Sequence, residues 1–565
     1  MLAFAHRMLW IGGVIALLFA SLVGTSVEAA QPQDDPPPPQ RLPATGDCVV
    51  DNIYYGAVPP NPNGHVLVFV HGLSGLAEDW WTDNSSAGLN DMYLLAYAAG
   101  YRTAFVNLTV QDAEPPDCTA VRRPANDMMG SGKILSQQIA AITAYYGVDQ
   151  VDIVAHSKGG VDAQAAAVWW GAASKIRRVF TLSTPHQGSL LADLLWSPEG
   201  FWVSLLLGQR DEATYSMQTS SMQIFRLMTD SMAVDDAIRY YTAAGTFWNR
   251  PGTIFELTGA YLQNHPDGGD NDGAVTVSHA WLAEGQTLFI QPWDHAQIYI
   301  GHNAFPYVHQ VIQAAESPHR LYLPVIAAST GTMIGEPVAR RASPPAMSAY
   351  ASDRIVRGGH GSGSLVERIP VEPEARAVRW GLVTSGPAAA WAESPAGEEI
   401  PLAPVSEGEL PYLPGAHWFA LELADPAPGE WRLRLESAEE VGYLSIVRLE
   451  SNLRVWLDGW PRQPLALGEP VTMRVRADRA ATVQRATVTA STGLQMPSAR
   501  AMAWRADTPD RIEIVPAHEG AVGVSVRVEG LTPDGWSFER SFIGSWAVVS
   551  GEVRSDPSFW MEWRR

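Results

Sequence analysis

The sequence predicts an α/β fold, a mostly parallel sheet covered by helices, followed by two all-β sandwich modules. Three observations predict it. Between residues 48 and 323, short β-branched apolar runs alternate with longer helical stretches, the order that parallel strands joined by crossover helices require. Beyond Pro324 the helical period gives way to short alternating segments separated by Gly, Pro and Asp turns. Finally, VDIVAHSKGG at 151–160 passes from an apolar strand through small residues into the helix-forming DAQAAAVWW.

Taken in order, residues 1–30 form a leader. His6 and Arg7 precede an uncharged apolar run from Met8 to Val23, and small residues ending VEAA offer a cleavage site at Ala29 or Ala30. The rival reading is an uncleaved anchor, for which the apolar run is short. Residues 31–47 are a proline-rich spacer. In the main domain, 48–323, strands are expected at 66–70, 103–106, 151–155, 179–182 and 254–257, and helices at 134–146 and 161–170. Residues 324–352, rich in Ala, Ser, Pro and Gly, suit a linker. Two sandwich modules follow at 353–459 and 460–565, with strands expected in WRLRL, at 443–447 and 453–457, and in VTMRVRA, ATVTAS, RIEIV and VSVRVEG.

The 565 residues carry a formal net charge of −21, and the leader holds one charge of each sign, Arg7 and Glu28. Such a balance disfavours nucleic acid as a partner. Cys48 and Cys118 are the two cysteines. In an exported chain they predict a disulfide closing a loop of about 70 residues, worth roughly 4 kcal/mol. Two buried free thiols are the alternative.

The chemistry concentrates at Ser157. A tight turn between strand and helix exposes its central side chain and needs small neighbours, and Ala155 and Gly159 supply them. An acyl-transfer serine also needs a base, a group that orients the base, and donors for the oxyanion. The early strand ends in VHGL, so the Leu73 and Lys158 backbone N–H groups are the candidate oxyanion donors. The His71 side chain is expected to orient its own loop. Downstream, NDGAV carries Asp272 and WDHAQ carries His295, in the chain order of acid then base after the serine. Aspartates beside glycine also suit a turn or a calcium loop, but Gly268 spoils the leading ligand position. GSGK at 130–133 resembles half a phosphate loop, yet Ile134 replaces the required Ser or Thr, so a helix start is expected there.

AHSKGG, VHGL, TPHQGSLLADLL, YYTAAG, NDGAV and WDHAQ together resemble the secreted bacterial triacylglycerol lipases of the α/β-hydrolase superfamily over residues 66–311. The resemblance implies an α/β-hydrolase fold and an extracellular serine hydrolase of lipid esters. Ser157 would be its nucleophile, Asp272 its acid and His295 its base, with His302 as fallback base. It implies no cofactor. The family's structural calcium uses an acidic residue just after the catalytic histidine, where this chain has Gln297. The stretch from Gln463 resembles immunoglobulin-like or fibronectin-like accessory modules. The implied partners are an ester substrate at an interface and, through the modules, a cell surface or a polymer. A short-chain carboxylesterase, an extracellular polyester depolymerase, and a surface binding or adhesion protein with a retired hydrolase domain are the rival readings. Residues 189–249, rich in Leu and Met, suit either a mobile amphipathic cover or an ordinary core helix pair.

Overall fold

One eight-stranded sheet organises the main domain. A computed structural model describes residues 35–84, 87–109, 126–316, 350–405, 415–478, 481–493, 502–508 and 510–564. The strands are β1 (Gln40–Arg41), β2 (Ile53–Tyr55), β3 (Val66–Val70), β4 (Arg102–Val106), β5 (Val151–His156), β6 (Ile176–Leu182), β7 (Arg239–Gly245) and β8 (Gln286–Gln291). Their spatial order is β1-β2-β4-β3-β5-β6-β7-β8. β1 and β2 are antiparallel additions at one edge, and β4, β3, β5, β6, β7 and β8 are parallel to one another.

The sheet is covered on both faces, which explains why VLVFV in β3 is apolar without interruption. Val66, Val68 and Val70 share a core with Leu135 and Ile139 of α1 (Met128–Tyr146) and with Ala163 and Ala166 of α2 (Lys158–Trp169). On the opposite face, Leu67 and Phe69 join a second core containing residues of a helix at Gly301–Glu316. β3 has β4 on one side and β5 on the other, so the chain reverses its direction of growth there. Such a switch point opens a crevice beyond the strands' C-terminal ends.

The expected strand at 254–257 is instead the start of a helix, Phe255–Gln263. GSGK lies in the first turns of α1, whose N-cap Asp127 accepts the Gly130 N–H at 2.7 Å. The expected leader, the partner Cys118 of the expected disulfide, and most of the 324–352 linker lie outside the described residues. The 189–249 stretch contributes α3 (Leu190–Trp196), α4 (Phe201–Leu206) and α5 (Thr219–Thr229), with shorter turns between. Its Met217, Met222 and Met228 are core residues, packed with Trp560 and Trp563 of α6 (Pro557–Trp563).

The β-rich region is sandwich-like, consistent with immunoglobulin-like modules. In the first module, β9 (Arg354–Val371) pairs along β12 (Gly429–Ser451), which carries β10 (Ala375–Thr384) on its other side; β11 (His417–Ala424) lies beyond β10. WRLRL and the 443–447 segment, expected as separate strands, are both parts of β12. In the second module a five-stranded and a four-stranded sheet share one core. The five-stranded sheet includes Tyr350–Ser352 and Val455–Asp458, which pair across the ends of the first module.

Both modules pack against the 190–229 helices. A Cβ on Gly358 would stand 1.8 Å from Glu199 O, and one on Gly442 would stand 2.8 Å from the Trp202 backbone. The side-chain-free backbone of β9 and β12 is what lets these strands reach the α4 end. Arg210 reaches the second module, donating to Ser491 Oγ at 3.1 Å and Gly493 O at 2.8 Å.

Candidate active site

Ser157 stands between β5 and α2 with φ 52° and ψ −131°, in the left-handed half of backbone space that a β-carbon disfavours. Its N–H is held by Leu182 O at 2.9 Å. The turn closes because its neighbours are small. A Cβ on Gly159 would stand 2.4 Å from His71 O, and one on Gly72 would stand 2.8 Å from Ser157 Cβ. Both glycines are therefore required by close approach, and they bring the β3 loop against the serine.

His71 orients that loop. Its Nε2 accepts the Leu108 N–H at 3.0 Å, so Nδ1 carries the proton and donates to Gly72 O at 2.8 Å. Leu73 and Lys158, the expected amide donors, line one cavity with Ser157 and His295. The Lys158 side chain turns away from substrate space. It is buried, with Nζ 2.6 Å from Asp162 Oδ1 and 3.1 Å from Ser131 Oγ, which anchors the residue next to Ser157. Burial pushes the Asp162 carboxyl up to about 7, against the opposing pull of Lys158.

His295 Nδ1 lies 2.7 Å from Asp272 Oδ2. Asp272 is fully buried, and its other oxygen accepts the Ala274 and Val275 N–H groups at 2.9 and 2.7 Å. A carboxylate so placed can only accept, so it fixes the His295 proton on Nδ1 and leaves Nε2 as a base. Ser157 Oγ and His295 are not hydrogen-bonded to one another. Such bonds are commonly long until substrate is present.

Three features were not anticipated. His156 donates Nε2–H to His295 O at 3.0 Å and stacks on Tyr299 with centroids 4.1 Å apart. Burial, with His295 adding to it, holds His156 well below the ordinary histidine pKa, so it is a neutral donor. Asp162 follows Lys158 at helical i, i+4 spacing, and that spacing was a visible signal for the buried pair. Nothing in the sequence announced the third, that β10, β11 and β12 roof the cavity.

The remaining candidates separate from the site. The His302 side chain is 62% exposed and pairs with Asp91 at 3.2 Å, outside the cavity lining, so the fallback base is not brought to Ser157. The region of Gln297 does not fit a calcium ion. Asp294 is ion-paired with Arg250 at 2.9 Å, and its Oδ1 accepts the Ala296 and Gln297 N–H groups. Among the described residues no group of three or more His, Cys, Asp or Glu is placed to hold a metal.

A family model for the PGAP1-like alpha/beta domain matches residues 61–238. The solved structure of Bacillus licheniformis lipase BlEst2 in its propeptide form is similar over 88% of this chain and 98% of its own, with 24% identity and a TM-score of 0.64. The same lipase in mature form matches 46% of this chain and 97% of its own, at 34% identity and a TM-score of 0.40. No curated protein matches the chain. The first similarity extends beyond the main domain into the β-modules. The main domain thus has an α/β-hydrolase-superfamily fold, related to that of bacterial lipases and esterases.

Proposed function

We propose that this chain is an extracellular serine hydrolase that cleaves carboxylic esters, above all lipid esters, through an acyl-enzyme. The observation that carries the reading is the Asp272–His295 pair, closed at 2.7 Å, on the same cavity as the strained Ser157. In the proposed reaction His295 Nε2 takes the Ser157 proton as Oγ attacks the ester carbonyl, and Asp272 stabilises the resulting imidazolium. The Leu73 and Lys158 amides stabilise the oxyanion. The proton then passes to the leaving alcohol, and water releases the acyl group by the reverse path. The leader-like residues 1–30 support an extracellular setting.

The apolar walls of the cavity favour a long acyl chain over a short one. Leu191, Leu194 and Val203 line it from α3 and α4. Hydrolysis of p-nitrophenyl esters from acetate to palmitate, beside a Ser157→Ala variant, tests the reading. Turnover lost in the variant and rising with chain length is expected. A maximum at acetate would make the enzyme a short-chain esterase, and equal rates from both proteins would remove Ser157 from the mechanism.

A further inference from the structure

The cavity beside Ser157 has a volume of about 920 Å³, and it is enclosed partly by the first β-module. That lies near the upper end of the range for small-molecule sites, roughly 300–1,000 Å³. A segment that merely stoppered the crevice would fill it with side chains. Here the module bridges the crevice and leaves room for a ligand.

The module's contribution is one face of three adjacent strands, β11-β10-β12, laid out in rows across their register. Val383 pairs with Trp418 on one side and Leu444 on the other, and all three line the cavity. In the next row Gly381 stands between Ala420 and Ile446, so the roof is hollowed where two small residues meet. In the third row Arg379 stands between Glu422 and Arg448. The charges of that row are already matched: Arg379 pairs with Glu422 at 3.1 Å and Glu450 at 3.3 Å, and Arg448 with Asp353 at 2.8 Å. The wall is thus apolar along two rows and closed to net charge along the third. On the other side, Val383 and Leu444 continue into the cluster formed by Leu190, Leu194 and Val203.

Resting on the reading of Ser157 as an ester-cleaving nucleophile, we propose that the β11-β10-β12 face is a wall of the substrate chamber. Its Ala420–Gly381–Ile446 row holds the neutral, apolar acyl chain and sets how long a chain the enzyme accepts. The module is then part of the specificity machinery of the intact chain.

The test uses the full chain, p-nitrophenyl butyrate and palmitate, and a fluorophosphonate that labels reactive serines. Ala420→Leu fills the hollow and is expected to lower the palmitate-to-butyrate ratio of kcat/KM about tenfold, the scale of a hydrophobic-pocket change. Ile446→Ala enlarges it and is expected to shift the ratio the opposite way. Val366→Leu, at a position of the same module that is 53% exposed, serves as the control and should leave the ratio unchanged. Opposite shifts in the two variants cannot come from a general loss of folding. Ratios in both variants equal to the control would overturn the proposal. So would an intact chain that neither labels nor turns over but becomes active once proteolysis after Glu316 removes the modules, because the face would then be a cover. If neither the intact nor the cleaved chain labels or hydrolyses ester, the ester-hydrolase reading falls and this proposal with it.

Discussion

Ser157 owes its geometry to its neighbours rather than to itself. Gly159 and Gly72 let the β3 loop and α2 close around it, and Leu182 O holds its amide. Asp272, likewise, owes its placement to neighbours: the Ala274 and Val275 amides hold one carboxylate oxygen and His295 engages the other. An Asp272→Asn variant keeps the shape but can present an amide N–H to His295 and so favours the wrong imidazole tautomer. Its kcat is expected to fall about 10⁴-fold with folding intact, as read from steady-state kinetics beside circular dichroism. A loss below tenfold would remove Asp272 from the role given to it. At this scale the sequence was informative: motif order identified Ser157, Asp272 and His295 as a set, and the structure brings Asp272 and His295 into contact. It could not reveal His156, because a histidine before a serine has no spacing signature of its own. Its partner, the His295 carbonyl, is 139 residues away.

At the scale of elements, the helices of the main domain and the modules are tied by buried polar groups. Asp193 of α3 accepts from the Thr219 amide, the Thr219 hydroxyl and Ser545 Oγ of the second module at 2.9, 2.7 and 2.7 Å. Burial pushes its carboxyl up to about 6, against the pull of these donors. Because the folded-state pKa is raised, the contribution is fully present below the ordinary aspartate value and is lost as pH rises through about 6. Urea unfolding should therefore show the wild type losing about 1 kcal/mol between pH 5 and 7.5 relative to Asp193→Asn. A difference that does not change with pH would contradict this. Asp127 caps α1 and also receives the Trp560 indole N–H at 2.8 Å and Arg564 at 2.6 Å. Asp127→Ala should cost about 3 kcal/mol in chemical denaturation, combining a lost cap with two stranded donors. A cost under about 0.5 kcal/mol would mean that α6 is not anchored there.

The strands β3, β4, β5 and β6 were legible because three or four β-branched or aromatic residues fall within each short run. The 254–257 segment was misread because four residues, three of them apolar, are too few to separate a period of 2 from one of 3.6. Only the continuation through Gly259, Tyr261 and Leu262, all buried, shows the helical face. β12 was read as two strands because its apolar alternation lapses at Ser437 and Glu439. Pairing with β9 carries the strand through this stretch, with a register shift between Gly361 and Gly363. What β10, β11 and β12 would cover was not legible, since a half-buried strand carries no mark in its sequence of what lies above it.

In the whole molecule the main domain and the modules share apolar clusters. Met222 and Phe225 of the main domain pack in one cluster with Ala521 and Ala547 of the second module and Trp560 of α6. Burying Met222 and Phe225 is worth roughly 1.5–3 kcal/mol each, so separating the parts would expose that apolar surface to water. Scanning calorimetry should show one cooperative unfolding transition for the full chain, and two resolved transitions would contradict the shared core. The central claim, however, is covalent: a strained serine, aided by a histidine that Asp272 orients, takes an acyl group from an ester. Its most direct test is intact-mass and peptide mass spectrometry after treatment with a slowly released carbamate ester. The account predicts one adduct per chain, located on Ser157 and missing from Ser157→Ala. An adduct elsewhere, or the same adduct in the variant, would contradict it.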